Sequence, residues 1–158
     1  ILHAVQGLRL YFQNKAKRST KYAVSAGNKT SKWYSRSMGL LGTLILMFLI
    51  IHLKHFWVLS RFTNHIAHSE SSKMEGQETL FTEMKEVFEN PMVVVFYCLC
   101  MISLAYHLLH GFQSAFQTMG LNHKKYTPLI KKTGFWFSVI IPLVFALMPI
   151  SMCMGWIK

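Results

Sequence analysis

Three histidines set in apolar stretches, His3, His52 and His107, are the side chains that point most directly to chemistry. An imidazole surrounded by hydrocarbon is costly unless a hydrogen-bond partner or a metal satisfies it. His3-Ala4-Val5-Gln6-Gly7 and His107-Leu108-Leu109-His110-Gly111 share the pattern H-x-x-x-G. Residues i and i+4 share one face of a helix, so Gly7 and Gly111 leave a flat, side-chain-free patch one turn from each imidazole. A flat patch beside a ligand suits a haem edge, and two such histidines suit a b-type haem clamped between membrane helices.

Other readings of the same residues stay open. An intramembrane histidine also serves as a hydrogen-bonding contact between helices or as part of a proton relay. His55 and His110 follow His52 and His107 by three residues, so each is a rival ligand or a hydrogen-bonding partner that orients one. His65, His68 and His123 read as interfacial polar residues in loops, and Cys98, Cys100 and Cys153 as small hydrophobes within apolar spans. There is no C-x-x-C-H attachment motif, so a haem here is non-covalent. The sequence also lacks a glycine-rich phosphate loop, a catalytic triad and an acidic metal cluster, and it predicts no substrate chemistry of its own.

The elements that must carry these histidines are membrane helices. Of the 158 residues, 52% are apolar and 15% charged, well above the apolar share of a soluble domain of this size. Segments 38–59, 92–118 and 134–156 each reach the roughly 20 mostly apolar residues that a ~30 Å hydrocarbon core requires. Residues 1–13 carry an apolar pattern too short to cross and without a polar flank or cap. They read as the end of a helix, so the natural protein is expected to be longer, with further membrane sequence upstream. The predicted fold is all-α, one transmembrane helical domain over 1–158, with five helices in the full protein and four represented here, the first truncated.

Charge orients the helices. All six acidic residues are glutamates within 60–91, whereas 14–37 hold seven Lys or Arg, and 119–133 hold Lys124, Lys125, Lys131 and Lys132. By the positive-inside rule the two basic segments face the cytoplasm and the glutamate-bearing loop faces outward, across the cytoplasmic (inner) membrane. The net charge of +11 is thereby a topological signal, and nucleic acid is not an expected partner. His3 precedes the first basic cluster, and His107 the end of its span, by about 11 residues each; at ~1.5 Å per residue the two lie at similar depth in the inner half. His52, about eight residues from the exit of an outward-running helix at the same rise, belongs to the outer half and has no partner in this chain.

Smaller signals agree. Asn90-Pro91 can start a helix, and 79–88 form an amphipathic stretch suited to a short surface helix. Pro142 and Pro149 are expected to kink the last span. Trp33, Trp57, Trp136 and Trp156 fall near predicted interfaces, as an aromatic belt does.

Three stretches carry a resemblance over nearly the whole chain: HAVQGLRLYFQN, SRSMGLLGTLILMFLIIHLKHFW and YHLLHGFQSAFQTMGLNHKKYTP. Together they resemble the cytochrome b membrane-anchor subunit of succinate dehydrogenase and fumarate reductase, in its five-helix, two-haem form. The third stretch is the most specific. In that family four histidines on successive helices ligate two haems, and the resemblance matches His3 to the second-helix ligand, His52 to the third and His107 to the fourth.

The resemblance implies that His3 and His107 hold an inner haem b, and that His52 holds an outer one with a first-helix histidine outside this chain. It further implies a flavoprotein subunit and an iron–sulfur subunit as partners, with electrons passing through the haems to a quinone in the lipid, menaquinone in the proteins this form resembles. Arg9, Arg36, Trp33 and Tyr34 are candidates for binding propionates or docking the iron–sulfur subunit, or for plain interfacial anchoring. Two other classes share parts of this pattern. A cytochrome b anchor of a hydrogenase or formate dehydrogenase would share the haems but not the partners, and a haem-free membrane transporter would use the histidines as a proton relay.

Overall fold

The computed structural model describes residues 1–17, 32–63, 66–67 and 78–157. His65 and His68, and most of the basic run after Lys17, lie outside the described residues. The fold is all-α. In chain order it comprises α1 (Leu2–Ala16), α2 (Trp33–Arg36), α3 (Met38–His52), a π-helical segment (Leu53–Val58), α4 (Leu59–Phe62), α5 (Leu80–Glu89), α6 (Pro91–Thr118) and α7 (Thr127–Cys153). Ahead of α5, Ile66–Ala67 (β1) and Glu78–Thr79 (β2) pair in parallel over two residues each.

Among the described residues, three helical stretches are long and apolar enough to cross a membrane: Met38–Phe62, Pro91–Thr118 and Thr127–Cys153. Only 6%, 28% and 17% of their most apolar windows is buried inside the protein, so most of their apolar side chains point outward, where lipid satisfies them. A soluble protein of this length would hide those side chains instead.

The ends of these helices follow from local chemistry. Asn90 caps α6, its Oδ1 accepting from the Met92 N–H at 2.9 Å, with Pro91 in the first turn where its missing donor costs nothing. Thr79 caps α5 in the same way, its Oγ1 accepting from the Thr82 N–H at 3.2 Å. The C-termini of α6 and α7 close with Gly120 at φ +74° and Gly155 at φ +68°, which only glycine adopts without strain. In each, the residue after the glycine donates five residues back, Leu121 to Phe116 and Trp156 to Ser151, satisfying otherwise orphaned carbonyls.

The bounds of two spans differ from the sequence expectation by several residues. The helix placed at 134–156 begins at Thr127 and ends at Cys153. Its first turns carry Lys131 and Lys132, whose apolar stems lie along a helix while their ammonium groups reach water, so a count of apolar residues starts too late. The span placed at 38–59 runs on to Phe62 through the π-helical segment. Pro142 and Pro149 both lie within α7.

The chain forms two compact units. The first consists of Ile1–Leu46 and Ser103–Ser138. Here α1 meets α3 where the Tyr11 ring lies over Gly39; a Cβ at Gly39 would sit 2.9 Å from Tyr11 Cδ2. Ser103 Oγ on α6 donates to the Leu41 carbonyl on α3 at 3.2 Å, a bond worth more in an apolar setting than in water. Gly134 gives α7 its close approach to α6, since a Cβ there would sit 2.5 Å from Phe112 Cδ1. Small residues are what allow membrane helices to pack this tightly. Gly134→Ala is accordingly expected to destabilise the protein by about 1–3 kcal/mol through overpacking, read as a lower thermal midpoint in detergent, with Phe112→Leu in the same chain restoring most of it.

The second unit consists of Met47–Ile102 and Val139–Lys158. Its core is Phe88, Val94 and Tyr97, with Phe48, Phe56 and Met84 among the side chains packed around them. The amphipathic α5 buries Phe88 and Glu83.

Candidate functional site

The first unit brings His3 and His107 together. Their ring centroids are 6.1 Å apart and their planes nearly perpendicular at 85°. With a metal–imidazole bond of about 2.0–2.1 Å and about 1.1 Å from nitrogen to ring centre, two imidazoles on opposite sides of one ion have centroids about 6.3 Å apart. The observed separation fits that arrangement.

Three further features surround the pair. His107 Nδ1 is buried without a hydrogen-bond partner, and buried ring nitrogens are ordinarily satisfied. A Cβ added at Gly7 or at Gly111 would meet nothing within 4 Å, so neither glycine is required by protein packing. Gly42 on α3 faces the His107 ring, with 3.6 Å from the position of its absent Cβ to Cε1. The opposed imidazole and the open space one turn along each helix would suit a flat ligand held by imidazole nitrogen, while the unpartnered His107 Nδ1 lies on the Gly42 side of its ring, 4.0 Å from the position of that glycine's absent Cβ. The donor set is neutral imidazole, the chemistry a haem iron takes from proteins. Among the described residues no three histidine, cysteine or acidic side chains converge as a cage for a bare ion.

His110 does not share this setting. Its Nε2 lies 3.2 Å from Ser114 Oγ on the same helix, so the protein already supplies a partner for that ring. Trp33 packs against Tyr106, the neighbour of His107, at 4.9 Å between centroids, and Tyr34 stacks on the same ring at 5.9 Å and 28°. The short helix α2 is thus fastened beside the candidate site. Arg9 and Arg36 are both exposed.

In the second unit His52 closes α3, and its Nδ1 is the other buried ring nitrogen without a partner. Rings enclose it: Phe48 at 5.4 Å, Phe56 at 5.2 Å and Tyr97 at 6.2 Å. His55, one turn on, has a partner, its Nδ1 lying 3.1 Å from the Tyr97 hydroxyl. Of each histidine pair spaced by three, the first therefore keeps an unsatisfied nitrogen and the second is engaged by the protein.

Tyr97 and Glu83 are site residues that the sequence reading missed. Tyr97 shows in the sequence as a phenol inside an otherwise apolar run ahead of His107, and its buried hydroxyl needed a partner. Glu83 is one of the six glutamates read as a topological signal, and the structure buries it.

No family model, curated protein or solved structure matches this chain. What the sequence and structure define is an all-α protein with, among the described residues, three helices long and apolar enough to cross a membrane.

Proposed function

We propose that this chain is a haem b membrane anchor that passes electrons between an iron–sulfur subunit and a quinone dissolved in the lipid, in a complex of the succinate dehydrogenase and fumarate reductase class. One observation supports the reading: His3 and His107, drawn from helices far apart in sequence, have ring centroids 6.1 Å apart, a separation compatible with two imidazoles on one iron. The resemblance of the three sequence stretches supplies the complex and its partners.

His3 and His107 are the residues that would hold the inner haem, and His52 is the ligand this chain offers to an outer one. Bound there, haem supplies a one-electron couple inside the hydrocarbon. The protein's part is orientation and burial. Gly7 and Gly111 leave room beside the ligands, Gly42 brings α3 close to the His107 ring, and the Trp33–Tyr106–Tyr34 cluster closes the end next to the site. In this reading the basic segments 14–37 and 119–133 face the cytoplasm, where they would receive an iron–sulfur subunit, and the flavoprotein subunit would sit beyond it. The quinone of this reading is menaquinone.

The test is a dithionite-reduced minus oxidised visible spectrum of the purified complex, with pyridine-haemochrome quantification per copy of this chain. Two b haems are expected, and one would retain the His3–His107 site while removing the outer one. No haem would overturn the reading in favour of a haem-free transporter. A co-purifying covalent flavin subunit supports the assigned complex; a nickel or molybdenum subunit would move the chain to the hydrogenase or formate dehydrogenase anchors.

A further inference from the structure

The second unit holds a polar arrangement that the ligand assignment leaves unused. The π-helical segment Leu53–Val58 starts directly after His52, and such widened turns recur at functional sites. Within it, His55 lies parallel to Tyr97, with ring planes 7° apart and centroids 6.4 Å apart, and the two are joined by the 3.1 Å contact between Nδ1 and the phenol oxygen. Tyr97 is only 4% exposed.

Tyr97 also touches the other histidine. His52 has no hydrogen bond on its buried Nδ1, so on that side of the ring packing against its neighbours holds its angle. Two of the three rings around it, Phe48 and Phe56, come from its own helical stretch and move with it. Tyr97 comes from α6 and is the fixed reference. Tyr97 is in turn held edge-on by Phe48 and Phe88, each at 5.1 Å, while its hydroxyl is held by His55. Removing that hydrogen bond leaves the phenol oxygen buried and unsatisfied and frees the ring to shift against His52.

We propose that His55 and Tyr97 form a hydrogen-bonded positioning pair that fixes the imidazole orientation of His52, and that His55 is not itself a ligand; this rests on the reading of His52 as a haem ligand. Groups of this kind, behind a metal ligand, commonly alter metal affinity 10–100-fold when removed.

The experiment is electron paramagnetic resonance of the oxidised, intact complex, together with the rate of haem transfer to apomyoglobin. His52→Ala identifies the low-spin signal that depends on His52. In Tyr97→Phe and His55→Leu that signal is expected to keep its haem but shift its highest g-value, and its haem to transfer about 10-fold faster. His55→Asn, whose amide can meet the phenol where Nδ1 did, is expected to return both towards wild type. Tyr97→Phe preserves the packing, so a shift there is not a folding defect.

Unchanged spectra and transfer rates in Tyr97→Phe and His55→Leu would overturn the inference, as would loss of a haem in His55→Ala with both kept in His52→Ala. A wild-type complex with one haem that survives His52→Ala would overturn it while leaving the anchor reading intact. A wild-type complex with no haem would instead overturn the anchor reading itself.

Discussion

In the His107→Ala protein one b haem is expected to be missing, and quinone-linked electron transfer to fall by roughly 100-fold or more, since removing a ligand exceeds the 10–100-fold typical of the groups behind one. His3→Ala is expected to remove the same haem, and the double variant to be no worse than either alone, because the two residues act on one iron. His110→Ala is the internal control. Its ring already has Ser114 at 3.2 Å, so its loss is expected to leave both haems in place. Haem per copy of the chain, by pyridine haemochrome, reads all four variants. Loss of a haem in His110→Ala with retention in His107→Ala would reverse the assignment of ligands along α6.

Gly7→Ala and Gly111→Ala carry the second large effect, and its sign is opposite for stability and for haem. In a helix interior, alanine is favoured over glycine by about 0.8–1.0 kcal/mol. A Cβ at either position meets nothing within 4 Å, so no steric term offsets that gain and the apoprotein is expected to melt at the same or a higher temperature. If the open space takes the face of a flat ligand, the added methyl groups obstruct it, and the Gly7→Ala/Gly111→Ala double variant is expected to lose most of the haem that depends on His107. Full haem occupancy in a double variant of raised stability would show that the space beside the histidines is merely lipid-facing. Gly39 and Gly134 make the contrast, for there the missing Cβ would collide with Tyr11 and Phe112.

Much of this was legible in the sequence, for identifiable reasons. Hydropathy marks a membrane helix wherever some 20 apolar residues run together, so all three spans could be placed from composition. The H-x-x-x-G repeats made Gly7 and Gly111 candidates because i and i+4 share a helical face, and the structure shows those positions empty of protein. Depth counted from the basic segments placed His3 and His107 at one level, and their rings meet.

What escaped reading depends on contacts between distant residues. Periodicity does not distinguish His52 from His55, or His107 from His110, because residues three apart lie on nearly the same face. Only the partners of Tyr97 and Ser114 separate them. A window that counts charges as polar does not see Lys131 and Lys132 within the first turns of α7. Nor does any residue type encode the π-helical turn Leu53–Val58. Tyr97 carries no motif, and its role is visible only when the two histidines are seen against its ring.

The π-helical turn also determines how this helix tolerates changes in length. An i→i+5 bond holds one residue more per turn than the i→i+4 ladder around it, so Leu53–Val58 is a place where a single residue can be gained or lost without breaking the rod. Deleting one residue there would let the ladder close as an ordinary α-helix with the residues beyond it keeping roughly their facing, whereas the same deletion in the flanking α-helix would swing them by about 100°. The residues of Met38–His52 and those of Leu59–Phe62 would both keep their alignment. Chain length at this turn thus acts as slack, taking up a change of one residue while the faces on either side of it hold.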